Sequence, residues 1–216
     1  MKNSTLNLVL CIFSSVTIFL PSSTGATDEK DKADARQCKA MHARGIVLHD
    51  SGKYAEAQEV YNKAFEICGD GYSLLNEIGL SLAAQKKYDK AADYFIREIL
   101  HPPAPAVAFG NLFAILDKLS PEKRKKLKTT GSSADEPIYV PSIGTEYSWT
   151  SKIVCDGQQP EKQMQALISH EGHRLDRQSY TCADGTTGEV YFDFSADPVE
   201  QAFDRELKKM NEKGKK

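Results

Sequence analysis

The same pattern of residues occurs twice between positions 41 and 103, with a separation of 34 residues between the two copies. The matched positions are Gly45 and Gly79, Leu48 and Leu82, Tyr54 and Tyr88, Ala57 and Ala91, and Tyr61 and Phe95. Five matches in one register are hard to obtain by chance, and this period is typical of a helix–turn–helix unit that stacks on its neighbours. The repeat therefore predicts two pairs of antiparallel helices. Gly52 lies in the first turn, where the absence of a side chain permits positive φ.

These positions resemble those of tetratricopeptide repeats. That family has a small residue where two helices cross, a Tyr after the turn and an aromatic residue on the second helix, as at Gly45, Tyr54 and Tyr61 here. The resemblance covers less than half of the chain, and it implies a binding surface rather than a reaction. Residues 36–128 are accordingly predicted to form a helical repeat domain. A third helix and a short helix opened by Pro121 would be its divergent repeat or its cap.

In tetratricopeptide repeats the first helix of each pair lines a concave face, and this implies a partner-binding surface here. Carried over by register, the surface comprises Lys39, His42, Ile46, His49, Asp50, Ser73, Asn76, Leu80 and Ala83. Some family members clamp the terminal carboxylate of a peptide with polar side chains, but Ile46 and Leu80 occupy key polar positions in this chain. The resemblance therefore implies a mixed apolar groove for an extended or helical protein segment. The alternative is that the leader or the C-terminal domain of the chain itself covers Ile46 and Leu80.

Residues 1–26 have the features of a secretory signal peptide. Lys2 is followed by an apolar run over residues 6–19 and by small residues up to Ala26. The run is shorter than the roughly 20 residues that span a bilayer, so cleavage near Ala26 is preferred over a membrane anchor. We therefore expect an exported chain, periplasmic or extracellular, with no transmembrane segment in its mature form. Residues 27–35 are charged, lack large apolar side chains and are predicted to be a flexible leader.

The composition excludes some classes of partner. Loss of Lys2 with the signal peptide leaves 27 basic and 30 acidic side chains, a net charge of -3 with His neutral. This balance gives no electrostatic reason to expect nucleic acid or an anionic membrane as a partner. The mature chain of about 190 residues has room for two small domains.

Beyond residues 129–137, a polar stretch predicted to be a linker, the hydrophobic period changes from that of helices to that of strands. Four stretches are predicted to form a small antiparallel sheet: residues 147–155, 163–169, 174–182 and 188–194. A final helix is predicted from Asp197, with an apolar stripe facing the sheet. The overall prediction is an α+β chain of two domains, with the sheet domain at 138–216. We recognise no family in this second domain.

Four cysteines remain after the predicted cleavage, and an even number in an exported chain favours disulfide bonds. Four cysteines allow three pairings. Cys38 lies near the start of the first predicted helix and Cys68 at the end of the second, so the two should be neighbours in an antiparallel pair. Cys155 and Cys182 would then pair within the sheet domain. The alternative is four buried free thiols.

Few motifs in the chain point to catalysis. His170 and His173 flank a predicted turn with Glu171, but the histidines of zinc proteases are four residues apart on a helix, whereas these are three apart. The sequence has no phosphate loop, dinucleotide fingerprint or nucleophile elbow. We therefore expect no cofactor and a non-catalytic protein-interaction or scaffolding module of the cell envelope. One alternative is a sheet domain that acts as a small-ligand receptor or metal-dependent hydrolase through Trp149, Tyr180 or the histidine turn. The other is self-association through the repeats.

Overall fold

A computed structural model of the protein describes residues 24–69, 73–101 and 106–194. Within these ranges it contains seven α-helices and a four-stranded mixed sheet, an α+β arrangement. The helices are α1 (Thr24–Asp50), α2 (Tyr54–Cys68), α3 (Leu74–Ala84), α4 (Tyr88–Ile99), α5 (Ala106–Ala114), α6 (Pro121–Leu127) and α7 (Ile143–Trp149). The strands are β1 (Ile138–Tyr139), β2 (Lys162–His170), β3 (His173–Thr181) and β4 (Thr187–Asp193). Most of the predicted signal peptide and the whole predicted terminal helix lie outside the described residues.

The first four helices form two pairs whose crossing points are 34 residues apart in the sequence. Gly45 of α1 lies against the ring of Tyr61 on α2, so a Cβ atom at this position would overlap the ring. Gly79 of α3 has the same relation to Phe95 of α4, whose ring would come within 2.5 Å of an added Cβ atom. Both aromatic side chains are fully buried. Glycine at these two positions lets the paired helices approach closely enough to enclose each ring.

Helix α1 begins before the predicted repeat. Residues 27–35, predicted to be a flexible leader, belong to this helix. The stretch contains no Pro or Gly, and its Ala, Lys and Glu residues have high helix propensity. Side chains 30–35 are exposed or half-buried, so the charged composition agrees with a solvated helix and does not prevent the backbone from being helical. None of the helices in the described ranges combines the length and the apolar character needed to cross a membrane.

Helix α6 begins at the predicted cap. The Oγ atom of Ser120 accepts a hydrogen bond from the backbone N–H of Lys123 at 3.2 Å, and Pro121 occupies the first turn. The backbone N–H of Ser120 donates to Oδ1 of Asp89 on α4 at 2.9 Å. This bond ties the start of α6 to the second helix pair.

The sheet has the strand order β1–β4–β3–β2. Three of the predicted strands correspond to β2, β3 and β4, which are antiparallel neighbours. However, β1 lies parallel to β4, with Ile138 opposite Phe192, so the sheet is mixed and the prediction of a purely antiparallel sheet is wrong. A strand of two residues is too short to show a hydrophobic period, so the sequence does not reveal β1.

Residues 147–155 do not form the predicted first strand. They complete α7 and continue into one π-helical turn, Thr150–Val154. Trp149 and Ile153 are buried, and their spacing of four residues suits one face of a strand as well as one face of a helix. In the structure Glu146, three residues before Trp149, completes the buried helical face. The strand prediction is wrong because Thr150 and Val154, which would point away from the buried face of a strand, are buried as well, whereas Tyr147, which would share that face, is 42% exposed.

The described helices and the strands β1, β3 and β4 share one hydrophobic core. At their junction, Phe109 of α5 and Trp149 of α7 meet edge to face, with ring centroids 6.1 Å apart. Residues 129–137, predicted to be a linker, contact the sheet at the buried Gly131, which lies against Ile138 and Val190. Within this segment the carbonyl oxygen of Gly131 accepts a hydrogen bond from the N–H of Tyr191 on β4 at 2.8 Å. The segment therefore joins the two parts as a packed element.

The structure contains two disulfide bonds, Cys38–Cys68 and Cys155–Cys182, and these are the pairs expected from the sequence. Their Cα atoms are 6.3 Å and 5.4 Å apart, a range in which a disulfide fits without backbone movement. The first bond links α1 to the end of α2. The second links the turn after α7 to the residue that follows β3, and not two strands as expected.

Candidate functional site

The residues predicted to face a partner lie on α1 and α3, and those on α1 are the more accessible. Ile46 is 39% exposed, and Lys39 and Asp50 are also exposed. On α3, Leu80 is half-buried and packs against the hydrophobic core. The described part of the sheet domain therefore leaves Ile46 accessible.

Two imidazole rings of α1 pack against tyrosines of α2. The ring of His42 lies beside that of Tyr61 with centroids 6.1 Å apart, and His49 meets Tyr54 edge to face at 5.1 Å. The Nδ1 atom of His49 is 3.9 Å from Oδ1 of Asp50, whose carboxylate is exposed. These contacts fix the orientation of both rings. They place one imidazole ring a turn before and one a turn after Ile46, the exposed apolar residue of this face of α1.

The α3 half of the predicted surface is partly used by the fold itself. Asn76 is 3% exposed, and its Oδ1 atom accepts a hydrogen bond from Nδ2 of Asn111 on α5 at 2.9 Å. Its backbone N–H donates to Oε2 of Glu98 on α4 at 3.2 Å. Asn76 therefore connects three helices and is not available to a partner, contrary to the prediction. Ser73 and Ala83 are half-buried.

The structure also brings together polar side chains that the sequence analysis does not single out. Glu146 on α7 is fully buried, and Asp176 on β3 is 9% exposed. The Nε2 atom of Gln165 on β2 is 3.0 Å from Oε2 of Glu146 and 2.7 Å from Oδ2 of Asp176. Gln178 on β3 donates through Nε2 to the same Glu146 oxygen at 2.7 Å. Two carboxyl groups thus share amide donors between α7 and the sheet.

Further hydrogen bonds hold the amides in place. The Oε1 atom of Gln178 accepts from Oγ1 of Thr150 at 2.9 Å and from Nε2 of Gln163 at 2.6 Å. The hydroxyl of Tyr147 donates to Oε1 of Gln165 at 3.0 Å. Both amides are therefore bonded at their oxygen and at their nitrogen. We call the following residues the carboxylate–amide network: Glu146, Thr150, Gln163, Gln165, Asp176 and Gln178.

Burial changes the acidity of this network. It raises the pKa of Glu146 to about 8, and the neighbouring carboxylate of Asp176 adds to the rise. Burial also raises the pKa of Asp176. The amide hydrogen bonds from Gln178 and Gln165 oppose the change at Glu146 without cancelling it. The network therefore holds a proton near neutral pH, and the two carboxyl groups titrate as a coupled pair.

The sequence contains one signal for this network. Asp176, Gln178 and Cys182 alternate along a predicted strand and so lie on one face of it. Because Cys182 is expected in a disulfide, that face can be recognised as buried. Glu146 has no such signal, because its neighbours come from other elements.

The two histidines of the β2–β3 turn each lie beside a different carboxylate. The Nε2 atom of His170 is 2.7 Å from Oδ1 of Asp135, and Nδ1 of His173 is 3.2 Å from Oδ2 of the buried Asp193. Across residues 24–69, 73–101 and 106–194, no group of three or more His, Cys, Asp or Glu side chains is arranged to hold a metal ion.

The two aromatic residues considered for ligand binding are largely occupied by the fold. Trp149 is fully buried in the shared core. Tyr180 is half-buried, and its hydroxyl lies so close to Gly188 that a Cβ atom there would overlap it. Trp149 therefore offers no open ring face to a ligand.

No protein-family model, curated protein or solved structure matches the chain.

Proposed function

We propose that the chain is an exported, non-catalytic protein-interaction module of the cell envelope. In this proposal α1–α4 are tetratricopeptide-like repeats and α1 presents the partner surface. The observation that carries the proposal is the equivalence of the two helix pairs. The contacts of Gly45 with Tyr61 and of Gly79 with Phe95 occur at the same places in both pairs, 34 residues apart. Stacked helix pairs of this kind bury one side and leave an inner helix face free for a partner.

Export is supported by the cysteines and by the N-terminal sequence. Disulfide bonds such as Cys38–Cys68 and Cys155–Cys182 form and persist in oxidising compartments, and they are rare in the cytosol. The apolar run at residues 6–19 and the small residues that precede position 27 are typical of a cleaved signal. Both observations support a periplasmic or extracellular location.

The chemistry of α1 indicates what the partner segment offers. Ile46 supplies exposed apolar surface, while the exposed Lys39, two turns earlier on the same helix, supplies hydrogen-bond donors. An amphipathic helix or an extended segment would place one apolar side chain on Ile46 and carbonyl or acidic groups beside the donors. Binding energy would be concentrated on the apolar contact, as is usual for small interfaces.

The test compares variants of the full chain, because the helices and the sheet share a core. Each variant is immobilised and used to capture proteins from an envelope extract, and the bound proteins are quantified. We expect Ile46→Asp and His42→Glu to lose the partners that the wild-type protein retains. Val47→Asp is the matched control, since Val47 is 65% exposed but points about 100° away around the helix. Recovery of the same partners by all three variants would show that α1 is not the binding surface.

A further inference from the structure

A cavity of about 570 Å³ lies where α5 and α6 meet the turn after α7. Its apolar lining comes from Phe113, Leu116, Leu127 and Ile153. The size falls within the range of roughly 300 to 1,000 Å³ that is usual for sites of small organic ligands. None of the α1 residues proposed for partner binding contributes to this cavity. It is therefore a separate site from the proposed protein-binding surface.

Two cationic side chains in the cavity lining have no carboxylate partner among the described residues. Arg124 donates through Nη2 to the backbone carbonyl oxygen of Asp117 at 2.8 Å and not to the carboxylate of that residue. The Nζ atom of Lys152 lies 4.8 Å from the centroid of the Phe113 ring. An ammonium group over an aromatic face gains a cation–π interaction and keeps its charge free for a second partner. Both cations remain able to bind an anion.

The acidic residues of the lining only partly offset these cations. Asp156 is neutralised by Lys128, whose Nζ atom is 2.6 Å from Oδ2 of the carboxylate. Asp117 is exposed, and its carboxylate makes no ion pair with a described residue. With Asp156 paired to Lys128, the remaining charged groups of the lining are Arg124, Lys152 and Asp117, which carry a net charge of +1 beside the apolar residues.

We propose that this cavity binds a small organic anion with an apolar body, such as an aryl-substituted or short-chain carboxylate. The apolar body packs on Phe113, Leu127 and Ile153, and the acid group pairs with Arg124 and Lys152. Guanidinium groups match the planar geometry of a carboxylate and bind it through paired hydrogen bonds. Burial of the body supplies most of the affinity, and the two cations select the charge of the ligand.

The proposal can be tested by titration calorimetry on the full chain. Three compounds with the same phenyl ring and three-carbon chain but different polar groups are compared. They are 3-phenylpropanoate, 3-phenylpropan-1-ol and 3-phenylpropylamine. We expect saturable binding of the carboxylate at a single site. The alcohol should bind about tenfold more weakly because it lacks the charge-assisted hydrogen bonds, and the amine more weakly still.

Variants of the two cations identify the site. Arg124→Gln and Lys152→Gln should each weaken binding of 3-phenylpropanoate by about tenfold and leave binding of the alcohol unchanged. Lys125→Gln is the matched control, because it removes an exposed charge of α6 that does not line the cavity. Equal binding of the three compounds, or wild-type affinity in the Arg124→Gln/Lys152→Gln double variant, would overturn the proposal. Absence of carboxylate binding at millimolar concentration, or tighter binding of the amine, would also overturn it.

Discussion

The helical part and the sheet part of the protein fill their interiors in different ways. Between the paired helices the interior is mainly apolar, with rings fitted against glycine, as Tyr61 is against Gly45. Beneath α7 the interior includes Glu146, Asp176 and Gln178, which are joined by hydrogen bonds. An apolar fit depends on volume, whereas a buried carboxyl group depends on its proton as well. We therefore expect the helical part to respond to changes of volume and the sheet part to respond to pH.

The disulfide bonds offer the most severe test of this comparison, because each part contains one of nearly the same loop length. The sequence separations are 30 residues for Cys38–Cys68 and 27 for Cys155–Cys182. Restriction of the unfolded chain by loops of this size contributes about 3–4 kcal/mol each. We expect the double Cys→Ser variants of the two pairs to lose similar free energies of unfolding in urea denaturation.

A second measurement tests whether the two parts unfold as one unit. Far-UV circular dichroism follows the helices and Trp149 fluorescence follows the junction with the sheet, and both should give the same urea midpoint in each double variant. Different midpoints in one variant would show that the shared core at Phe109 and Trp149 does not couple the parts.

The next loss of stability is expected at the helix crossings. Gly79→Ala places a Cβ atom 2.5 Å from the Phe95 ring, and we expect a loss of about 3 kcal/mol from overpacking. Gly110→Ala on α5 is the matched control, because no atom lies within 4 Å of its added Cβ. That variant should gain about 0.5–1 kcal/mol, since it removes backbone freedom from the unfolded chain. Thermal denaturation of both variants checks the expectation. Equal stability of the two would show that the Phe95 ring can move aside.

The helix pairs could be predicted because their signals are local and occur twice. Gly79 and Phe95 can be recognised in the sequence by comparison with Gly45 and Tyr61. Side-chain exposure is less predictable, because it depends on helices that are distant in the sequence. Asn76 has the register of a surface residue, yet it is buried by partners on α4 and α5.

The interior of the sheet part has almost no local signal. Glu146 precedes a stretch whose apolar spacing suits a strand and a helix equally. Its hydrogen-bond partners Gln165 and Gln178 are 19 and 32 residues away. A buried polar group is stable only when such partners surround it, so its position follows from the tertiary structure and not from its own neighbours in the chain.

The carboxylate–amide network should make stability depend on pH. The pKa of Glu146 is about 8 in the native state and has an ordinary value of 4.5. Between these values the unfolded chain releases the proton while the native state retains it, so stability falls as pH rises from about 4.5 to about 8. Glu146→Gln keeps an acceptor for Gln165 and Gln178 and removes the titration. We expect this variant to be about equal in stability to the wild-type protein at pH 4.5, about 2 kcal/mol more stable at pH 6 and about 4 kcal/mol more stable at pH 8.

Urea denaturation at a series of pH values measures this effect. Glu161→Gln is the control, because Glu161 is an exposed residue next to β2 and outside the network. Its profile should follow that of the wild-type protein. The raised pKa of Asp176 would leave a smaller slope in the same direction in Glu146→Gln. Parallel profiles for the wild-type protein and Glu146→Gln would show that Glu146 ionises freely in the folded chain.

The smallest expected loss of stability comes from the outer hydrogen bonds of the carboxylate–amide network. Thr150→Val keeps the shape of the side chain and removes the hydroxyl that donates to Oε1 of Gln178 at 2.9 Å. Gln163 still donates to the same oxygen at 2.6 Å, so no buried acceptor is left without a partner. We therefore expect a loss of only about 1 kcal/mol, seen as a fall in Tm of about 2–4 °C, and recovery of most of it in Thr150→Ser. A larger loss of stability that Thr150→Ser does not recover would show that packing of the methyl group, and not the hydrogen bond, accounts for it. The sheet part would then resemble the helical part, with volume and not hydrogen bonding deciding its stability.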